Sequence, residues 1–163
     1  MIRLATPTDL PSIVAIYNQA IAAQNATADT VEFTVEQRLG WFQSHPPEIY
    51  PIYVYEENGQ VLGWLSVSPY RERPALMRTA EVSYYVDYAH HGMGIGSMLI
   101  QYALDDASRI GKKVYLAILL EWNTDSIRLL GKFGFEKWGH LPDVAEFADK
   151  TCGHLYYGRM VGG

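Results

Sequence analysis

A glycine-rich segment in the middle of the chain constrains the fold more than any other feature. It runs His91-Gly92-Met93-Gly94-Ile95-Gly96-Ser97, between the clearest strand pattern, residues 81–86, and an amphipathic helix pattern. Glycines at alternate positions let the backbone approach a ligand closely and adopt φ values barred to other residues. The first N–H groups of a helix have no acceptor within the helix. The segment therefore predicts a site for a phosphate or pyrophosphate, held mainly by N–H groups worth about 1.5–3 kcal/mol each.

Two common nucleotide-binding patterns do not fit this segment. A Walker loop needs a lysine before Ser or Thr, and Gly96-Ser97-Met98 has none. The dinucleotide fingerprint needs a third glycine at the sixth position, which, counted from Gly94, is Leu99. That fingerprint is also expected in a first βαβ unit rather than in mid-chain. The segment is therefore neither of these patterns.

The order of predicted elements indicates a mixed α/β fold. Alternating and apolar runs predict strands at 2–5, 52–55, 61–67, 81–86, 114–119, 136–141 and 155–160. Helices are predicted after Thr8-Asp9, after a capping box at Thr34–Gln37, from 98 to 110 with Gly111 following, and from 123 or 124 to 132. The third helix is expected to bury Met98, Leu99, Tyr102, Ala103, Ala107 and Ile110. We expect one domain over residues 1–163, with flanking helices and a central, twisted, mostly antiparallel sheet of about seven strands.

Composition excludes several classes of protein. A net charge of −5 argues against a general nucleic-acid or membrane-surface binder, which would carry a basic face. The single cysteine, Cys152, cannot form an internal disulfide and is interpreted as a packing residue. No Cys/His spacing predicts a metal site. The N-terminus has no apolar signal segment, so we expect a cytoplasmic protein.

Two motifs in order resemble the GNAT acetyltransferase superfamily. His91-Gly92-Met93-Gly94-Ile95-Gly96 resembles its Gln/Arg-x-x-Gly-x-Gly/Ala pyrophosphate signature, and Asn123-x-x-Ser126 followed by Phe133-Gly134-Phe135 resembles its Asn-x-x-Ser/Ala helix ending in Gly-Phe. Within the superfamily, the chain looks most like the phosphinothricin and methionine-sulfoximine N-acetyltransferases. That likeness is carried by Tyr70-Arg71, Thr79-Ala80-Glu81, Tyr85-Val86, Ser126–Leu129 and Gly139-His140-Leu141.

The resemblance implies acetyl-CoA as co-substrate, without a metal, and a small-molecule amine as acceptor. It implies a splay between strands 81–86 and 114–119 that admits the cofactor, and it implies a homodimer. The implied cofactor-binding residues are Tyr84, Tyr85, Val86, His91, Gly92, Met93, Gly94, Ile95, Gly96, Ser97 and Asn123. Leu130 stands where many superfamily members carry a tyrosine that protonates the departing thiolate, and the segment 143–155 also departs from the subgroup.

The proposed chemistry is direct attack of a neutral amine on the acetyl thioester. An α-amine with a pKa near 8 is mostly protonated at pH 7, so a base is needed. Glu81 is the candidate base, directly or through water, with a pKa raised by surrounding aromatic residues. Backbone N–H groups of residues 84–86 are expected to stabilise the charge that develops on the acetyl oxygen. The alternative for Glu81 is a structural ion pair with Arg78 or Arg71.

The acceptor is expected to carry an amine and an anionic group. Tyr70, Arg71, Arg73 and Arg78 are the candidate substrate-binding residues, since guanidinium groups bind carboxylates and phosphinates in a bidentate manner. The alternative is a solvated basic loop that contacts cofactor phosphates or a second subunit. Trp41, Phe42, Trp64 and Tyr70 are candidates for the pocket wall or for the core. Other functions left open are an acyl-CoA-binding sensor and acetylation of a polyamine, an aminoglycoside or a peptide N-terminus.

Overall fold

The computed structural model describes residues 1–162, so that Gly163, the end of the predicted domain, lies outside the described residues. Seven strands form one sheet: β1 (Ile2–Leu4), β2 (Ile52–Glu57), β3 (Gln60–Pro69), β4 (Thr79–Val86), β5 (Val114–Leu120), β6 (Glu136–Glu146) and β7 (Thr151–Met160). Their order is β1-β2-β3-β4-β5-β7-β6. Neighbours are antiparallel except β4 and β5, which are parallel. The predicted mixed, mostly antiparallel sheet is confirmed.

Four helices flank the sheet within the described residues: α1 (Leu10–Ala23), α2 (Val35–Gln43), α3 (Ile95–Asp106) and α4 (Thr124–Lys132). Local chemistry explains where α2 and α4 begin. The capping box of α2 is formed, because Thr34 accepts from the Gln37 N–H at 3.2 Å and Gln37 accepts from the Thr34 N–H at 2.8 Å. Asn123 caps α4 by accepting from the Ser126 N–H at 3.3 Å.

The two faces of the sheet bury different side chains. In the pairing of β3 with β4, Trp64 lies opposite Tyr85 and Ser68 lies opposite Glu81, so all four side chains share one face. Helices α1 and α2 cover that face, where Trp64 is 2% exposed. Helix α3 covers the other face through a larger core, which includes Leu65, Val67, Leu99 and Tyr115.

The sheet opens between β4 and β5. The two strands pair only from Thr79–Val114 to Glu81–Leu116, and beyond that point β4 continues to Val86 without β5 beside it. Loss of pairing leaves one backbone edge of residues 82–86 free of β5 for a ligand. The expected splay is therefore present, and Glu81 lies at its start.

Helix α3 departs from its predicted length and face. The helix ends at Asp106 rather than at Ile110, because the Ala107 N–H bonds to the Leu104 carbonyl at 3.4 Å in a tighter turn. The Asp106 carboxylate there accepts from the Tyr53 hydroxyl at 2.6 Å and from Arg109. The predicted burial of Met98 and Tyr102 is wrong, since both are about 40% exposed. Leu99, Ala103, Ala107 and Ile110 are buried as predicted, and Ile95 and Ile100 are buried with them.

Candidate functional site

A cleft of about 500 Å³ lies where β4 and β5 separate. Its walls come from β4, the glycine-rich turn, the start of α3, β5 and one side of α4, together with Ala20, Asn25 and Ala26 near the end of α1. This volume falls within the usual range for small-molecule sites, about 300–1,000 Å³. The gap in the sheet is therefore large enough to hold a ligand.

The glycine-rich turn forms an anion cradle at one end of the cleft. Gly92 and Gly94 both have φ of +79°, a left-handed conformation that disfavours side chains with a Cβ. The first bond inside α3 runs from the Met98 N–H to the Gly94 carbonyl at 3.0 Å. The N–H groups of Ile95, Gly96 and Ser97 thus lack intrahelical acceptors and are available to an anion.

Side chains outside the predicted motif hold this turn in place. The Asp87 carboxylate accepts from Gln19 at 2.8 Å and from the His90 ring at 2.6 Å, and these hydrogen bonds lower the pKa of Asp87. The His91 ring lies 2.9 Å from the Val86 carbonyl through Nε2 and packs against Tyr88. Gln19 is on α1, far away in sequence, and no local pattern indicated it.

Most of the predicted cofactor-binding residues line the cleft. The lining residues among them are Tyr84, Tyr85, Val86, His91, Gly92, Gly94, Ile95, Gly96, Ser97 and Asn123. Met93 does not line it, and its side chain is 58% exposed. Two cations that were not predicted, Arg128 and Lys132, also line the cleft. Their i, i+4 spacing places them on one face of α4, which is a signal that the sequence contained.

Glu81 combines burial with a lack of hydrogen-bonding partners. Burial raises the pKa of Glu81, and the positive charge of Arg71 opposes that rise. No side chain or backbone group within residues 1–162 donates a hydrogen bond to its carboxylate or forms an ion pair with it. The structural ion pair with Arg71 or Arg78 is therefore not formed, and Arg78 instead donates to the Gly111 carbonyl at 3.1 Å. A half-buried carboxylate of this kind can accept a proton from a ligand.

The buried residue His45 bonds to Ser68, which lies opposite Glu81 on the neighbouring strand. The His45 Nδ1 is 2.6 Å from the Trp41 carbonyl, and its Nε2 is 2.8 Å from the Ser68 hydroxyl. Burial lowers the pKa of His45, which favours the neutral ring. The carbonyl can only accept, so Nδ1 carries the proton and Nε2 accepts from Ser68. The Ser68 hydroxyl proton is therefore not directed to Glu81, its partner across the strands.

The predicted substrate-binding residues lie on the segment that joins β3 to β4. Arg71 lies over the Tyr70 ring at 4.6 Å, donates to the Tyr70 carbonyl at 2.9 Å and acts electrostatically on Glu81. Arg73 and Arg78 are exposed, and Arg78 bonds to the loop before β5. Of the predicted aromatic residues, Trp64 is core, whereas Trp41 and Phe42 are half-buried against it.

A pair of hydroxyl groups lies on the α4 side of the cleft. The Tyr84 hydroxyl donates to Ser126 at 3.0 Å, and burial raises the pKa of Tyr84 to about 12. Leu130, one turn further along α4, is 1% exposed and offers no proton. Cys152 is fully buried among Leu120, Ala145 and Phe147, as expected for a packing residue.

Neither a metal centre nor a membrane segment is found in the described part of the chain. Among residues 1–162, no three His, Cys, Asp or Glu side chains are grouped so that they could hold a metal ion. Within the same residues, no helix has the length and apolar character needed to cross a membrane.

Comparison with known proteins identifies the family. The model of the acetyltransferase (GNAT) family matches residues 13–135. The protein YwnH of Bacillus subtilis (strain 168), by name a phosphinothricin acetyltransferase, is 45% identical over 159 residues, 97% of each chain. An L-methionine sulfoximine/L-methionine sulfone acetyltransferase of Salmonella typhimurium is 36% identical over 143 residues, 88% of this chain and 84% of the relative. The structure of the acetyltransferase yncA from Salmonella typhimurium, solved with its cofactor acetyl-CoA, has a TM-score of 0.92 at 32% identity and covers 98% of this chain and 92% of that one.

These matches extend over nearly the whole sheet and include both motifs that carried the predicted resemblance. The predicted fold, subgroup likeness and enzyme class are confirmed. The chain belongs to the acetyltransferase (GNAT) family.

Proposed function

We propose that this protein transfers an acetyl group from acetyl-CoA to the primary amine of a small amino-acid-like acceptor, of the phosphinothricin or methionine sulfoximine type. The named activities of two similar proteins support this acceptor class. The observation that carries the proposal is the unpartnered, half-buried carboxylate of Glu81 at the point where β4 and β5 separate. Glu81 directly precedes the β4 residues that line the cleft, Val82–Val86.

The residues of the cleft fit acetyl-CoA. The N–H groups at the start of α3 would bind its pyrophosphate, and Arg128 and Lys132 would add positive charge near its phosphates. The free backbone edge of residues 82–86 would bind the amides of its pantetheine arm. When bound, acetyl-CoA supplies the activated acetyl thioester. The expected homodimer and cytoplasmic location remain predictions.

Glu81 would remove a proton from the acceptor ammonium group, directly or through one water. A free carboxylate has a pKa near 4.3, too low for efficient proton removal at pH 7. Burial raises the pKa of Glu81 and so brings it closer to that of an α-amine. Because no group donates a hydrogen bond to the carboxylate, its basicity is not reduced. The positive charge of Arg71 limits the rise.

An acyl-CoA-binding sensor without catalysis is the second candidate, and the buried apolar Leu130 is the observation that favours it. Such a module needs the cradle and the cleft but no base.

Release of free thiol from acetyl-CoA tests both candidates. The acceptor panel is L-methionine sulfoximine, phosphinothricin, ordinary amino acids, spermidine, an aminoglycoside and an alanine-terminated peptide. The variants are Glu81→Gln and Glu136→Gln, the second replacing an exposed glutamate on β6 as a matched control. We expect turnover of the amino-acid-like compounds, loss of it in Glu81→Gln and normal rates in the control. Turnover of polycations or peptides alone would contradict the proposed acceptor class, and cofactor binding without any turnover would indicate a sensor.

A further inference from the structure

Arg38 on α2 has an aromatic cage but no polar partner. Its guanidinium carbon lies 4.3 Å from the ring centre of Trp41, 5.0 Å from that of Phe33 and 5.4 Å from that of Tyr17. In the described part of the chain, no hydrogen bond or ion pair involves its side chain. The cage holds the charge by cation–π attraction but leaves all five N–H donors without acceptors.

An unpaired, half-buried cation is costly to the folded protein. Burial lowers the pKa of Arg38, which shows that the guanidinium has lost part of its hydration. The carboxylate in electrostatic range is Asp29, but it lies beyond ion-pair distance and accepts a hydrogen bond from the Tyr17 hydroxyl instead. The donors of Arg38 therefore match an anion supplied by a ligand.

Arg38 faces the same side of the sheet as the proposed base. Tyr85, which lines the cleft, packs edge-on against Tyr17 at 4.9 Å, and Arg38 acts electrostatically on both tyrosines. On the other side of the cage, the Trp41 ring packs on His45 at 4.9 Å, and His45 contacts Ser68 opposite Glu81. The cage and Glu81 are thus connected through Tyr85 on one side and through His45 and Ser68 on the other, on the face of the sheet that α1 and α2 cover.

We propose that Arg38 binds the anionic group of the acceptor, a carboxylate or a phosphinate, while Glu81 receives the proton of its amine. This inference rests on the proposed function and adds the residue that selects anionic acceptors. The exposed Arg71 is less suited to that role, because it already donates to the Tyr70 carbonyl and lies over the Tyr70 ring. A guanidinium fork in a water-poor aromatic cage gives stronger and more selective anion binding than an exposed one.

The test measures kcat/KM of Arg38→Met and Arg38→Lys with two acceptors and their α-carboxamides. Methionine sulfoximine carries one carboxylate, and phosphinothricin carries a carboxylate and a phosphinate. We expect Arg38→Met to lose about 10-fold to 100-fold with each acid, mainly in KM, as for a lost charge-assisted hydrogen bond. Arg38→Lys keeps the charge and should lose less. An effect that disappears with both carboxamides identifies the carboxylate as the bound group, and one confined to phosphinothricin and its carboxamide identifies the phosphinate.

Lys137→Met, which removes an exposed cation on β6, is the control for net charge. Thermal unfolding of each variant shows whether it is folded. If Arg38→Met does not fold, the comparison is made with Arg38→Lys. Equal losses for methionine sulfoximine and its carboxamide, or no loss with any acceptor, would overturn the role of Arg38 while leaving the proposed function intact. Failure of the unaltered enzyme to acetylate any anionic acceptor would overturn both.

Discussion

Glu81 and Leu116 are the last residues at which β4 and β5 are joined. This register places the carboxylate at the start of the splay, with paired sheet on one side and the cleft on the other. The Glu81 side chain is half-buried on the face of the sheet that α1 and α2 cover, and the next residues of β4 line the cleft. The proposed proton acceptor and the cleft proposed for the cofactor thus both depend on one feature of the sheet, the end of the β4–β5 pairing.

Replacing Glu81 with glutamine should stabilise the protein while it removes activity. The pKa of Glu81 is raised in the folded state, so the folded protein holds the proton more tightly than the unfolded chain. The resulting stability is present below the unfolded pKa of about 4.5 and is lost as pH rises through the folded value. At pH 8, Glu81→Gln should therefore unfold at a temperature higher by about 2–4 °C, the equivalent of roughly 1 kcal/mol. Calorimetry at pH 8 and pH 4 checks this; an equal difference at both pH values would contradict the ionisation argument.

Replacing Arg71 with methionine should shift the pH profile of the reaction. The positive charge of Arg71 lowers the pKa of Glu81, so its removal lets that pKa rise further. The acid limb of kcat/KM should then move to higher pH, whereas Arg71→Lys should leave the limb in place. Because Arg71 is exposed, added salt should reduce the difference between the enzyme and Arg71→Met. A limb that does not move would show that Arg71 and Glu81 are not coupled.

Replacing His45 with phenylalanine should shift the same limb in the opposite direction. The Ser68 hydroxyl donates its proton to His45. Without His45, the Ser68 hydroxyl can donate to the Glu81 carboxylate instead and lower the pKa of Glu81. The pH profile of kcat/KM measures the shift. The double variant His45→Phe/Ser68→Ala is the control, since it lacks the hydroxyl and should keep the original limb. A shift that persists in the double variant would mean that Ser68 is not the donor.

Replacing Gly94 with alanine should weaken acetyl-CoA binding. Gly94 has φ of +79°, so a Cβ strains the turn by about 1 kcal/mol or more and displaces the N–H groups of the cradle. Titration calorimetry with acetyl-CoA measures the loss, which we expect to be about 10-fold or more. Gly40→Ala is the matched control, because Gly40 lies inside α2 with open space around it and alanine there should stabilise the helix. Unchanged affinity in Gly94→Ala would argue against a backbone cradle.

Local patterns predicted most of the fold and the cofactor side of the site. The capping box at Thr34 and the strand before the glycines depend on residues near one another in sequence, and each has the expected structure. The glycine turn and Asn123 were predictable for the same reason. The early end of α3, where the Ala107 N–H bonds to the Leu104 carbonyl, has no such local signal.

The part of the site proposed for the acceptor could not be predicted, because segments distant in sequence form it. Arg38 has the spacing of an ordinary exposed helix residue, and only the packing of α2 against α1 and β3 gives it an aromatic cage. His45 follows α2 with no local signal, and its relation to Glu81 depends on the register of β3 with β4. Composition of the 71–78 loop instead drew attention to Arg71, Arg73 and Arg78, which are exposed.

The central claim is that Glu81 acts in chemistry rather than in cofactor binding. Acetyl-CoA affinity and the turnover of methionine sulfoximine should be measured together for the enzyme and for Glu81→Gln. We predict unchanged acetyl-CoA affinity and a turnover lowered by about 10²–10⁴-fold, the usual contribution of a general base. Turnover within a few-fold of the unaltered enzyme, at saturating acceptor and pH 7, would contradict the claim.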